Sequence, residues 1–268
     1  MKSPEAIKKI RVMTYNVHSC RGLDGKVLPQ RIADVIAQFN PDLVALQELD
    51  VNRKWSQRID QPLLIAQHLR MQCHFQPAIA IEGEQYGIAV LSRFPFEIKK
   101  SIDLPRYPKK FVLEKKYIPL LKYFFEPRHA IWASVTIGGA DEVYFVNTHL
   151  SLRANERLAQ VKSLLSQQWL NMDAHKIPTI LCGDFNEGPH SRGYQLIKTS
   201  FSEVKFHTDH KGSKKTLFSP LPLFEVDHIF YSNNLHVESV NVPMTPLTKI
   251  ASDHLPVIAD FTLTKECQ

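Results

Sequence analysis

Apolar and polar residues alternate over positions 10–16, the two-residue period of a strand with one buried face. Pro29 then opens a stretch through Phe39 with helical periodicity, and 43–47 is a short, mostly apolar run, so the chain begins strand, helix, strand. A further helix is expected from about 62 to 69, followed by strands at 75–81 and 87–91. The second half repeats the rhythm, with strands at 130–137 and 143–148, a long amphipathic helix over 154–170, and a strand at 179–182. Short strands follow at 226–231, 236–242 and 257–263. The halves share an element order without a repeated sequence. This order predicts an α/β fold: a four-layer α/β sandwich in one domain over 1–268, with two mixed β-sheets packed face to face and helices on the outer faces.

Composition narrows the class. With 268 residues, 44% of them hydrophobic and 22% charged, the chain can bury a sizeable core and is neither fibrous nor disordered in type. No stretch approaches the roughly 18 apolar residues of a membrane-spanning helix, so no transmembrane segment is expected. Residues 1–9 carry charges and a proline where an export signal needs an apolar centre, which points to a cytoplasmic location. Cys20, Cys73, Cys182 and Cys267 have no metal-knuckle spacing and are expected to be free thiols. A formal charge of +6 leans towards a polyanionic partner: nucleic acid, an anionic lipid surface or a phosphorylated metabolite. The oligomeric state is not legible.

One segment stands apart. Residues 104–125 interleave Lys109, Lys110, Lys115, Lys116 and Lys122 with Tyr107, Phe111, Tyr117, Tyr123, Phe124 and Phe125, like an insertion on a sheet edge. Such a segment can grip phosphates and stack bases or lie on an anionic membrane. Equally, its aromatics could cap the core while its lysines stay in water.

Polar clusters fall where the expected strands end: Asn16, Glu48, Asn147-Thr148-His149, Gly183-Asp184-Phe185-Asn186, Asp227-His228 and Ser252-Asp253-His254. Singly, each reads as a cap or a turn. Together they supply what phosphate-ester hydrolysis needs: ligands for a hard cation, a base for water, and donors for the phosphoryl oxygens. Oxygen donors such as Glu48, Asp253 and Asn16 suit Mg²⁺ or Mn²⁺, whereas the histidines and cysteines lack paired zinc spacing.

The ordered series Thr14-Tyr15-Asn16, Leu46-Gln47-Glu48, Asn147-Thr148-His149-Leu150, Gly183-Asp184-Phe185-Asn186, Asp227-His228-Ile229 and Ser252-Asp253-His254-Leu255-Pro256-Val257 resembles the endonuclease/exonuclease/phosphatase superfamily over nearly the whole chain. The resemblance implies a Mg²⁺- or Mn²⁺-dependent hydrolase of phosphate esters. It implies Glu48 as the principal metal ligand, with Asn16 and Asp253 as further ligands or phosphate contacts. Asp184 would take the proton of the attacking water, and Asn186 would position that water or a phosphoryl oxygen. His254 would donate to the phosphate, with Asp227 fixing its tautomer.

His149 resembles the histidine of deoxyribonuclease-like, sphingomyelinase and phosphatase branches rather than the tyrosine of abasic-site endonucleases. By the deoxyribonuclease pattern, Glu84 in Glu84-Gln85-Tyr86 is expected to orient His149. Arg128 could clamp a substrate phosphate or pair with Glu126 or another acid, and His18 and Arg21 could face the substrate or solvent.

Two rival classes bear comparison. A catalytically inactive module that binds a phosphorylated ligand would be expected to have lost charged residues, and here the set is complete. A serine hydrolase is excluded, since contiguous Ser252, Asp253 and His254 cannot form a triad and no G-x-S-x-G elbow occurs.

Overall fold

The computed structural model describes residues 9–106, 126–138, 141–166, 177–204 and 214–263. Most of the basic and aromatic segment, 107–125, and the expected end of the long helix, 167–170, lie outside the described residues. One sheet holds β1 (Lys9–Asn16), β2 (Leu43–Val51), β3 (Gln72–Ile81), β4 (Glu84–Ser92), β11 (Leu235–Asn241) and β12 (Val257–Leu263), in the spatial order β11-β12-β1-β2-β4-β3. The other holds β5 (Phe96–Asp103), β6 (His129–Ile137), β7 (Asp141–His149), β8 (Thr179–Asp184), β9 (Ser202–Glu203) and β10 (Asp227–Tyr231), in the order β5-β6-β7-β8-β10-β9. Each sheet is mixed, with one parallel pair, β1 with β2 and β7 with β8. Read from opposite ends, β12-β1-β2-β4-β3 matches β10-β8-β7-β6-β5 in pairing sense, so the shared element order of the halves becomes a shared sheet topology.

Three apolar layers separate four structural ones. Between the sheets, Ile10, Val12, Leu43 and Val90 pack with Ile131, Ala133, Phe145 and Ile180. Behind the first sheet, Met13, Val44, Leu46 and Leu91 meet Ile32, Val35 and Ile36 of α1 (Pro29–Phe39) and Ile65 of α2 (Gln61–Leu69). Behind the second, Val146, Leu181 and Phe230 meet Val161 and Leu164 of α3 (Ala154–Leu164) and Tyr194 and Ile197 of α4 (Arg192–Ile197). The short α5 (Thr248–Ala251) precedes β12. Helix ends follow local chemistry: Pro29 begins α1 and Asn40, in the left-handed region, ends it, while Asp60 and Ser191 accept from the Leu63 and Tyr194 N–H groups as N-caps. Among the described residues, no helix is long and apolar enough to cross a membrane. Cys20, Cys73 and Cys182 are free.

The apolar interlayer is interrupted by amides. Gln47 Nε2 on β2 donates to Asn147 Oδ1 on β7 (2.8 Å) and to Thr14 Oγ1 (3.1 Å). Asn147 Nδ2 donates back across the gap to the carbonyls of Leu46 (3.0 Å) and Ala89 (2.8 Å). All of these side chains are fully buried, so the bonds hold only at one alignment of the two sheets.

A charged knot lies beneath the outer helix layer of the second sheet. Glu203 Oε1 is 2.6 Å from His228 Nδ1, and Glu203 Oε2 accepts from Tyr194 Oη (2.6 Å) and Lys214 Nζ (2.8 Å). Burial alone would raise the Glu203 pKa; the bond from His228, its charge and Lys214 instead hold it down to about 2. The same pairing keeps His228 above its ordinary value against the opposing effect of burial.

Asn147→Ala leaves buried partners unpaired and is expected to lower unfolding stability in urea by about 2–4 kcal/mol; an unchanged midpoint would remove the amides from the account. For Glu203 the folded pKa lies below the ordinary 4.5, so its ionic contribution is present above that pH and is lost as pH falls towards 2. The stability gap between the native chain and Glu203→Gln should therefore be widest above pH 4.5 and close on acidification, and a gap independent of pH would contradict the ionised knot.

Candidate active site

The strand ends on both sides of the amide tie carry the chemistry. Asn16 closes β1, and Glu48 sits in β2 where its pairing with β4 shifts register between Leu46 and Leu49. At this bulge Glu48 adopts φ 60°, a conformation costly for a residue with a Cβ, and a bulge of this kind re-aims the side chain. Across the interface His149 and Asp184 end the parallel strands β7 and β8, directly opposite each other. Their close approach needs Gly183, where a Cβ would lie 1.9 Å from the Thr148 carbonyl oxygen and φ is +147°.

Asn16 joins the two sheets at the site. Its Nδ2 donates to Glu48 Oε1 (3.0 Å) and Asp184 Oδ2 (2.9 Å), while its Oδ1 accepts from the His18 N–H (3.0 Å). His149 Nε2 lies 3.5 Å from Asp184 Oδ2 and 3.9 Å from Glu48 Oε1. On the other flank His254, just before β12, places Nδ1 2.8 Å from Asp227 Oδ2 and Nε2 4.0 Å from Asp184 Oδ2. Thr216 Oγ1 also donates to Asp227 Oδ2 (2.5 Å), and the Ser252 hydroxyl donates to the Asn16 carbonyl (2.8 Å). The Asn186 N–H donates to Asp184 Oδ1 (2.9 Å), and its side-chain Nδ2 donates to the Leu150 carbonyl (2.9 Å).

The two histidines are driven apart electrostatically. Burial lowers the His149 pKa well below its usual value, and the positive charges of Arg128 and His254 add to the effect, so His149 is neutral. Arg128 Nη1 lies 2.7 and 2.8 Å from the two His149 ring nitrogens, and Nη2 lies 3.3 Å from Glu126 Oε2. For His254 burial acts the same way, but Asp227, with Asp184 and Asp253 behind it, outweighs it and raises the pKa, so His254 is protonated. Burial, then the charge of Asp227, raises the Asp184 pKa.

These groups fit a hard divalent cation. Ligand atoms of Glu48, His149 and Asp184 lie within 4.8 Å of one another, as do those of Asp184, Asp227 and His254. Among the described residues the buried Asp227 Oδ1 has no hydrogen-bond partner, and the strained Asp184 charge is of the kind a bound cation relieves. The third such group, Glu203, Glu225 and His228, already receives Lys214 Nζ, 2.8 Å from Glu203 and 3.7 Å from Glu225.

The structure thus brings Asn16, Glu48, His149, Asp184, Asp227 and His254 together, with Asn186 beside Asp184 and Arg128 against His149. Arg128 is 4% exposed and pairs with Glu126 as well, so it is part of the wall of the site. Asp253 belongs to neither carboxylate–histidine group; its Oδ1 is 3.6 Å from His18 Nδ1 at the more exposed mouth. The expectation for Glu84 is corrected. It begins β4 at the hairpin with Ile81, three residues or about 10 Å along the strand from Gly87, which borders the Glu48 bulge. There Glu84 Oε1 accepts from the Lys54 N–H (3.3 Å), and the groups against His149 are Arg128, Asp184 and Glu48. Sequence reasoning missed Thr216 and the bridging role of Gln47; each is one polar residue in its strand or loop, with only its contacts to mark it.

A model of the "Endonuclease/Exonuclease/phosphatase family" matches residues 13–254. No curated protein sequence matches the chain. Among solved structures, an endonuclease/exonuclease/phosphatase from Beutenbergia cavernae is similar at TM-score 0.72 and 24% identity, over 96% of this chain and 72% of that one. The human Nocturnin catalytic domain with bound sulfate anion is similar at TM-score 0.67 and 24% identity, over 96% and 95% of the two chains. A mannosyl-6-phosphatase from Bacteroides thetaiotaomicron is similar at TM-score 0.67 and 21% identity, over 94% and 99%. At these identities the structural likeness establishes a common fold, and the family match, which spans all the strand-end motifs from Asn16 to His254, establishes membership: the chain belongs to the endonuclease/exonuclease/phosphatase family.

Proposed function

We propose that this protein is a Mg²⁺- or Mn²⁺-dependent phosphoesterase that hydrolyses its substrate by in-line attack of water. The observation that carries the reading is the convergence of His149 and His254 on the buried Asp184, beside the oxygen donors of Glu48. Glu48 would hold the cation, with Asn16 linking it to Asp184, whose carboxylate is left for the proton of the water. Asp253 at the mouth is a further carboxylate for that ion or for a second one. When bound, such an ion polarises a phosphoryl oxygen and makes water more acidic.

The protein groups divide the remaining work. Asp184, buried between His149 and His254 and oriented by Asn16 and the Asn186 N–H, suits the base for water. Asn186, tied to Asp184 Oδ1 through its N–H, keeps its side-chain oxygen for positioning that water. His254, held protonated by Asp227, donates to a phosphoryl oxygen as negative charge accumulates. Neutral His149 offers a donor without competing for the cation's charge, and burial, reinforced by Arg128, keeps it neutral. A phosphate-ester substrate, whether nucleic acid, lipid headgroup or phosphorylated metabolite, meets these needs equally. An inactive binding module on the same fold is disfavoured, because nothing in its role requires the His254–Asp227 pair to be kept.

Metal-stripped protein should not hydrolyse phosphate mono- or diesters, and Mg²⁺ or Mn²⁺ should restore the activity. Asp184→Asn and His254→Ala should each lower kcat by at least about a hundredfold, the scale of a lost base or charge-stabilising donor. Glu84→Gln, away from His149, should retain near-native rates. Full activity in excess chelator, or native rates in either of the first two variants, would overturn the reading.

A further inference from the structure

Next to Glu48 the surface opens into a cavity of about 310 Å³ whose walls include His18, Arg21, Arg53, Trp55, Tyr86 and Glu126. Because Glu48 lines it, a group lodged there would be joined directly to a phosphate held at the metal ligands. Its chemistry is set by Trp55, in the short turn of helix Lys54–Ser56, which leaves 46% of its surface exposed. An indole is costly to expose and rigid enough to be a platform.

That platform is braced from within. The Arg53 guanidinium carbon lies 5.7 Å from the Trp55 ring centroid and 5.5 Å from that of Tyr86, and Tyr86 is buried. Arg53 Nη1 in turn donates to Asp50 (3.0 Å), whose side chain is fully buried. The stack therefore runs from the core to the cavity, Asp50 to Arg53 to Trp55, with cation–π contacts fixing the guanidinium against both rings.

We propose that this cavity is a subsite for the nucleobase of a nucleotide-type phosphate ester, stacked on Trp55. The inference rests on the phosphoesterase reading of the adjoining site and names the substrate class for it. An acyl chain is a poor occupant, since it would lie against guanidinium, imidazole and carboxylate groups and offer them no polar contact. A second phosphate alone is a poor occupant too, because Glu48 and Glu126 both border the space. A heteroaromatic base answers both halves of the wall, its face to the indole and its edge to the donors and acceptors of His18, Arg21 and Glu126.

The test compares two ligands of equal phosphate charge, AMP and ribose 5-phosphate, by calorimetry and tryptophan fluorescence on Mg²⁺-loaded His254→Ala protein, in which turnover is suppressed. AMP should bind at least about tenfold more tightly, the order of one base–aromatic stack, and quench the emission where ribose 5-phosphate does not. Adding Trp55→Ala should bring the affinity ratio to one, and adding Trp55→Phe should keep most of it. Equal affinities in the parent, or a ratio untouched by Trp55→Ala, would overturn the subsite. Hydrolysis assays on the native chain separate the two ideas: absence of all esterase activity beside an intact Trp55-dependent base preference would sink the phosphoesterase reading alone, while hydrolysis with a KM indifferent to the base would sink the subsite alone.

Discussion

Two fully buried amides, Gln47 on one sheet and Asn147 on the other, determine how the sandwich closes. Each is a poor choice for an apolar interlayer unless every donor finds an acceptor, and all the acceptors but Thr14 Oγ1 lie on the opposite sheet. A slip of one residue in either sheet would turn these amides away from each other. The alignment they enforce places Asn16 and Glu48, each next to or two residues from a member of the tie in the ladder, against His149 and Asp184. The site is thus a consequence of packing: neither sheet holds it alone.

The paired topology of the sheets explains why the groups come from matching places. Asn16 and Asp184 end the equivalent strands β1 and β8, Glu48 and His149 lie on the equivalents β2 and β7, and Asp227 and His254 flank the starts of β10 and β12. The two histidines nonetheless differ in charge, because their immediate partners differ. Arg128 faces His149 and Asp227 faces His254, so nearly equal burial yields one neutral ring and one protonated ring. That asymmetry gives a near-symmetric frame two histidines of opposite charge state on either side of Asp184.

Much of this was legible in the chain. Pro29–Phe39 and Val257–Leu263 emerge with the expected bounds, because a proline start and an uninterrupted apolar period leave little for tertiary context to change. The strand-end motifs, each of which singly could have been a cap or a turn, marked residues that the fold brings together because they close or adjoin strands at one edge of the two sheets. The edge strand Phe96–Asp103 was missed: its Lys99-Lys100 pair breaks the alternation, as charges on edge strands do. Glu84 shows a different limit, for a motif gives order along the chain, whereas the bulge at Glu48 and the hairpin at Ile81 decide how far along β4 a side chain lies.

A cation held at Glu48, among the carboxylates that the two sheets gather, can be detected directly. Binding of Mn²⁺ to the metal-stripped protein, followed by electron paramagnetic resonance, tests it without reference to any substrate. Saturable binding is expected, weakened by Glu48→Gln by more than about tenfold, at least the loss seen when a contact supporting a metal ligand is removed. Mn²⁺ bound equally well by a folded Glu48→Gln variant would contradict it.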